Sequence, residues 1–218
     1  MTLRIETSTP EERERGLAAA AAALRRGQLV GLPLDTTYGI AADAFSETGI
    51  ASLRSAKGRA DLSVPVMVPR ISTVSGIAIV DATARELMRG FWPGPLTLVL
   101  HAQPTLAWSL ADGSGRIAVR MPLHPVALEL LARTGPLGVV GGVPGATVPD
   151  GAYADGLADH LAVLLDAGAL PPGAMSAVVD LTGDAPVLVR RGPVDPDDLR
   201  AVCPALVVPT ASGRFGAA

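Results

Sequence analysis

Apolar and polar positions along the chain switch repeatedly between helical and strand spacing. Thr9-Pro10-Glu11-Glu12 leads into a run of Ala and Leu that ends at Leu24. Thr as N-cap, Pro at the first helical position and Glu three residues past the cap predict a helix start with a capping box. Gly27, after Arg25 and Arg26, predicts its stop. The alanines at 18–23 read as a closely packed helix face. The apolar stretch 28–33 predicts a strand, followed by a polar turn and an extended piece reaching residue 44. Helical spacing returns over 48–57 through Ile50, Leu53 and Ala56.

The same alternation continues to the end of the chain. A buried strand is predicted at 65–68, then a helix capped by Asp81 that stops at Gly90. The prolines of Phe91-Trp-Pro-Gly-Pro-Leu-Thr-Leu98 force a turn before a strand at 96–100. A strand at 117–120, a helix at 125–133 and a strand at 137–140 come next. The Gly- and Pro-rich segment 141–151 reads as a loop, 155–160 as a helix, and Val163, Val178 and Leu188 as centres of short strands. Asp195-Pro196-Asp197-Asp198 caps a last helix through Val202. Strands and helices alternate without a compositional break, so the expected fold is α/β in a single domain, 1–218, with a core at about 10–202 and a tail at 203–218.

Composition narrows the function. Hydrophobic residues make up 49% of the chain but aromatics only 3%, so the core must be built from Ala, Val and Leu. A net charge of −3 argues against a generally basic nucleic-acid binder, and any phosphate-binding role must rest on a local cluster. The lone Cys203 allows no internal disulfide and fits a reducing, cytoplasmic setting. No unbroken apolar run reaches the ~18 residues of a membrane-spanning helix. Three histidines and one cysteine, with no close pair, give no credible zinc site. Walker A, dinucleotide-binding and Gly-x-Ser-x-Gly patterns are all missing.

What remains is cationic. Lys57 is the only lysine in the chain, every other basic residue apart from the histidines being Arg. A compact ammonium with three rotatable donors is therefore singled out at that position, against the reading that one Lys escaped an Arg bias. Lys57, Arg59, Arg120, Arg190 and Arg191 lie at predicted strand and helix ends, where α/β folds build ligand crevices. Lys with several Arg suits a polyphosphate plus a carboxylate. The competing reading for each arginine is a solvated surface cation. Thr36, Thr37 and Tyr38 offer hydroxyls in the turn, Asp35 and Asp180 read as strand ends rather than Mg²⁺ ligands, and His124 reads as a helix-start residue. Phe91 and Trp92 are expected to pack rather than stack on a ligand.

Five ordered blocks together resemble the YrdC/Sua5 (TsaC-like) family of threonylcarbamoyl-AMP synthases. They are Pro33-Leu-Asp-Thr-Thr-Tyr-Gly-Ile40, Ser55-Ala-Lys-Gly-Arg59, Phe91-Trp-Pro-Gly-Pro-Leu-Thr-Leu98, Val119-Arg-Met-Pro-Leu-His-Pro125, and Ser176-Ala-Val-Val-Asp-Leu-Thr-Gly183 with Arg190-Arg-Gly192. The resemblance implies a twisted mixed sheet flanked by helices around a concave basic cavity. It also implies synthesis of threonylcarbamoyl-adenylate from L-threonine, bicarbonate and ATP, with Mg²⁺ arriving on the nucleotide, for the t6A base of tRNA. tRNA or tRNA-modification proteins are the implied partners, and no membrane. By the same resemblance Lys57 and Arg59 are catalytic and contact phosphates, together with Gly141, Val143 and Arg190 on the nucleotide. Leu34, Thr36, Tyr38, Arg120 and Ser176 fall on the amino acid.

The chain departs from the family pattern at several of these positions. Leu34 stands where a hydroxyl is expected, Gly141-Gly142-Val143 replaces a Ser-Ala-Asn block, Ala177 replaces Thr, and Pro69 replaces a His. Removing polar groups changes which substrate leaves none unpaired. Two alternatives therefore stay open: a diverged paralogue using another amine or carbamoyl donor, and a non-catalytic nucleotide- or RNA-binding module.

Overall fold

The structure is a computed structural model that describes residues 1–106, 110, 114–142, 146–153 and 156–209. In chain order its elements are β1 (Leu3–Glu6), α1 (Pro10–Arg25), β2 (Leu29–Pro33), β3 (Tyr38–Asp43), α2 (Glu47–Ala56), β4 (Val66–Met67), α3 (Ile71–Val74), α4 (Ala82–Phe91) and β5 (Leu96–His101). They continue with β6 (Arg116–Arg120), α5 (Pro125–Thr134), β7 (Leu137–Gly141), α6 (Pro149–Ala152), a 3₁₀ turn (Leu157–His160), β8 (Leu161–Asp166), β9 (Ala177–Asp180), β10 (Val187–Arg190) and α7 (Pro196–Val202). Among the described residues the ten strands form one mixed sheet in the order β1-β8-β2-β3-β7-β4-β6-β5-β9-β10.

The helix caps follow from the sequence. The Thr9 hydroxyl accepts from the Glu12 backbone N–H at 3.2 Å and donates to the Glu12 carboxylate at 3.1 Å, closing the start of α1 through the hydroxyl itself. Gly27, at φ +72°, ends the helix in the left-handed region that costs glycine little. Ser46, Asp81 and Asp195 cap α2, α4 and α7 by accepting backbone N–H groups.

Helices cover both faces of the sheet. On one side Leu17 and Leu24 of α1 meet Val126, Leu130 and Leu131 of α5 over Val30, Leu32, Val139 and Leu165. On the other, Ile50 and Leu53 of α2, Leu87 and Met88 of α4 and Leu199 of α7 pack over Ile40, Leu96, Leu98 and Val119. Trp92 belongs to this second core and donates its ring N–H to the Leu96 carbonyl at 2.7 Å, the packing role its Pro-rich corner predicts.

Some expectations need correction. The 141–151 segment is not all loop: Gly141 closes β7 and residues from Pro149 form α6. The helix placed at 155–160 is a 3₁₀ turn beginning at Leu157, and Asp155 lies outside the described residues. The short elements β1 and α3 are additions, β1 being the edge strand paired parallel to β8.

Candidate functional site

The turn between β2 and β3 is closed by the Leu34 N–H donating to the Thr37 carbonyl at 2.8 Å, next to the Pro33–Tyr38 pair of the ladder. Its polar residues reach in two directions. Asp35 forms an ion pair with Arg120 at the end of β6, and its other oxygen accepts the backbone N–H groups of Leu123 and His124 at 2.9 Å each, just before α5. Thr37 donates to the Ala146 carbonyl at 3.1 Å, and the Tyr38 carbonyl accepts the Gly142 N–H at 2.9 Å.

Arg120 opens an inner cluster. Its Nε donates to the Gly94 carbonyl at 3.0 Å, and its side chain is only 13% exposed against 14% for Asp35. The parallel pairing of β5 with β9 aligns Leu96 with Ala177 and so sets Ser176 beside the Gly94-Pro95 corner. Arg190, at the end of β10, donates from Nε to the Ser176 carbonyl at 3.0 Å and from Nη2 to its hydroxyl at 3.2 Å. The Ser176 hydroxyl also pairs with Thr97 at 2.9 Å, both residues being buried. Burial, and then the neighbouring Arg120, lowers the Arg190 pKa. Burial likewise lowers that of Arg120, although Asp35 opposes it. Two guanidiniums therefore share one region with one carboxylate, an arrangement suited to an anion.

The outer cluster is built differently. Lys57 is the C-cap of α2, and its ammonium donates to the Gly141 carbonyl at 3.0 Å. Partial burial lowers its pKa. Arg59 follows one residue after Gly58, whose φ of +63° turns the chain out of the helix, and lies 3.8 Å from Asp61. The ladder from Gly141 to Gly39, with the Gly142–Tyr38 bond, ties this cluster to the same turn that carries Asp35.

Other predicted residues are placed elsewhere. Leu34 continues the alternation of Leu32 and buries its side chain in the core under α1 and α5, leaving 6% exposed, so the expected pocket lining is a packing residue. Tyr38 is fully buried. Its hydroxyl donates to the Gly168 carbonyl at 2.7 Å and accepts the Ala167 N–H at 3.0 Å beside Asp166, and burial pushes its pKa up to about 12. That hydroxyl is spent inside the protein. Thr36 is closely covered by Gly173, where a Cβ would lie 2.5 Å from the Thr36 methyl. Val143 lies outside the described residues. Asp180 accepts Thr182 and pairs with Arg116, ending its strand as expected.

Three residues of this region escaped the sequence reading in their actual roles. Asp35 is the partner of Arg120, Thr97 of Ser176, and the buried Asp166 joins Arg4 to the Tyr38 loop. A polar residue inside an apolar strand is the signal that Thr97 carried, and an acid closing an apolar strand the one that Asp166 carried.

A protein-family model, Sua5_yciO_yrdC, described as "Telomere recombination", matches residues 22–192. The chain belongs to this family. A Mycobacterium tuberculosis relative, which bears the provisional name threonylcarbamoyl-AMP synthase, is 45% identical over 208 residues, 93% of this chain and 95% of its own length. The threonylcarbamoyl-AMP synthase of Bacillus subtilis is 32% identical over 210 residues, 93% of this chain and 59% of its own. The crystal structure of Pyrococcus abyssi Sua5 complexed with L-threonine superposes with a TM-score of 0.84 at 29% identity, over 95% of this chain and 62% of that one. The chain thus spans about three fifths of these longer relatives and nearly the whole of the mycobacterial one. No helix among the described residues is long and apolar enough to cross a membrane.

Proposed function

We propose that this protein makes threonylcarbamoyl-adenylate. The threonine amine attacks bicarbonate to give a carbamate and water. A carbamate oxygen then attacks the α-phosphorus of ATP, forming the mixed anhydride and releasing pyrophosphate. Both steps depend mainly on positioning and on cations that neutralise developing phosphate charge. The observation that carries this reading is the inner cluster, in which Arg190 holds the Ser176 hydroxyl and the neighbouring Arg120 holds the Gly94 carbonyl and Asp35, the one acid among the described residues in an ion pair with either guanidinium. The threonine complex of Sua5 and the names of the relatives support the substrate and product.

Arg120 and Ser176 are assigned to the amino acid, with Thr36 at its edge. Lys57 and Arg59 are assigned to the nucleotide phosphates as the catalytic cations, helped by the Gly141 backbone and by Arg190 from the inner side. Mg²⁺ accompanies the nucleotide, and bicarbonate is a substrate. The product is handed to t6A synthesis on tRNA in the cytoplasm, a setting that the single buried thiol of Cys203 suits. The continuous sheet supports reading residues 1–218 as a single domain.

The test is a reaction with ATP, labelled bicarbonate and each amino acid in turn, read by the mass of the adenylate and by pyrophosphate release. Threonylcarbamoyl-adenylate formed with L-threonine is the expected result. An adenylate with another amine points to a diverged paralogue, and ATP binding without product points to a binding module.

A further inference from the structure

Asp35 has capacity left over. A carboxylate offers about four acceptor sites. Arg120 and the backbone N–H groups of Leu123 and His124 take three of them. Arg120 likewise directs Nε to Gly94 and one terminal nitrogen to Asp35, which leaves N–H donors of a five-donor group without a partner among the described residues. Among the described residues Asp35 is the only acid in an ion pair with either arginine of the inner cluster. Two guanidiniums against one carboxylate leave the region net positive, which favours a ligand carboxylate at Arg120 beside nucleotide phosphate at Arg190. In an α-amino acid the ammonium sits on the carbon next to that carboxylate. A carboxylate held by Arg120 therefore brings the ammonium alongside the acid already seated on Arg120.

We propose that Asp35 receives the α-ammonium of the amino acid, so that the Asp35–Arg120 pair recognises a zwitterion and discriminates against simple hydroxy acids. The inference rests on the amino-acid assignment of the inner cluster made above. Asp35 acts here through binding: the ammonium must lose a proton before nitrogen becomes nucleophilic, and the zwitterionic complex precedes that step.

The experiment is calorimetry on the full chain with L-threonine and with 3-hydroxybutyrate, which lacks only the α-ammonium. The wild type should bind L-threonine about tenfold more tightly or better. Asp35→Asn should lose most of that preference, through weaker threonine binding with 3-hydroxybutyrate affinity unchanged or improved, and Asp35→Glu should recover part of it. Equal wild-type affinities for the two ligands overturn the inference whether or not the variant folds. A parallel loss of both ligands in Asp35→Asn also overturns it, because Asp35 would then only buttress Arg120. In both cases threonine binding by the wild type leaves the amino-acid reading standing. No threonine binding by the wild type, with or without ATP, removes that reading and this inference with it.

Discussion

The inner and outer clusters bring cations to opposite ends of one turn, but the protein fixes them to very different degrees. Arg120 and Arg190 are partly buried and fixed by side-chain bonds to Gly94, Asp35 and Ser176. Lys57 and Arg59 extend from the end of a helix, and the Arg59 side chain is 45% exposed. A small rigid carboxylate rewards cations that are already in place, since little rotamer entropy remains to be lost on binding. A triphosphate chain has many oxygens and several conformations, and a rotatable ammonium can follow it. The contrast predicts that damage to the inner cluster costs stability as well as binding, whereas damage to the outer cluster costs binding alone.

Arg120→Ala should have the largest effect. It leaves the Asp35 carboxylate poorly compensated, and removing one partner of a buried pair costs about 3 to 5 kcal/mol. Urea unfolding should show that loss, with partial recovery in the Asp35→Ala/Arg120→Ala double variant. A loss below about 1 kcal/mol would put this pair in the class of surface ion pairs and end the contrast. Next comes Lys57→Ala: ATP affinity should fall about 10- to 100-fold, the equivalent of one lost charge-assisted contact, with the melting temperature unchanged. A fall in stability with nucleotide affinity intact would reverse the roles of the two clusters.

Ser176→Ala strands the Thr97 hydroxyl and removes one Arg190 partner, so about 1 to 3 kcal/mol of stability should go. In kinetics it should raise KM for the amino acid more than for ATP. The smallest effect concerns His124, whose pKa burial lowers, with Asp35 opposing and Arg13 adding to the shift. The unfolded chain then takes up the proton first as pH falls. Stability is complete above the ordinary histidine range and declines as pH drops through it, by no more than about 1.4 kcal/mol per pH unit for one proton. His124→Gln should flatten that slope in acid unfolding curves.

The elements with caps and several turns, such as α1, α2, α4 and α7, could be read from the chain because their signals are local. β1 could not: four residues with a single inward position, Ile5, carry no period, and the strand exists through its pairing with β8. The cationic site residues were legible as residue types at element ends. Their partners were not, because Asp35 meets Arg120, and Thr97 meets Ser176, only after the sheet has formed. Leu34 and Tyr38, both expected at the amino acid, are both buried, for different reasons. The alternation of β2 turns Leu34 into the core, and a loop from β8 seals the Tyr38 hydroxyl, a contact that no local pattern announces.

The space around Gly141 differs from that around Gly142, the two positions at which the resemblance leads one to expect Ser and Ala. A Cβ at Gly141 would touch no described residue within 4 Å, whereas one at Gly142 would lie 2.4 Å from the Ala152 carbonyl oxygen of α6. A Cβ at 141 thus has room among the described residues, but alanine at 142 must first push α6 away. A side chain is admitted at the first of the two positions and barred at the second, and the bar is raised by packing rather than by a ligand.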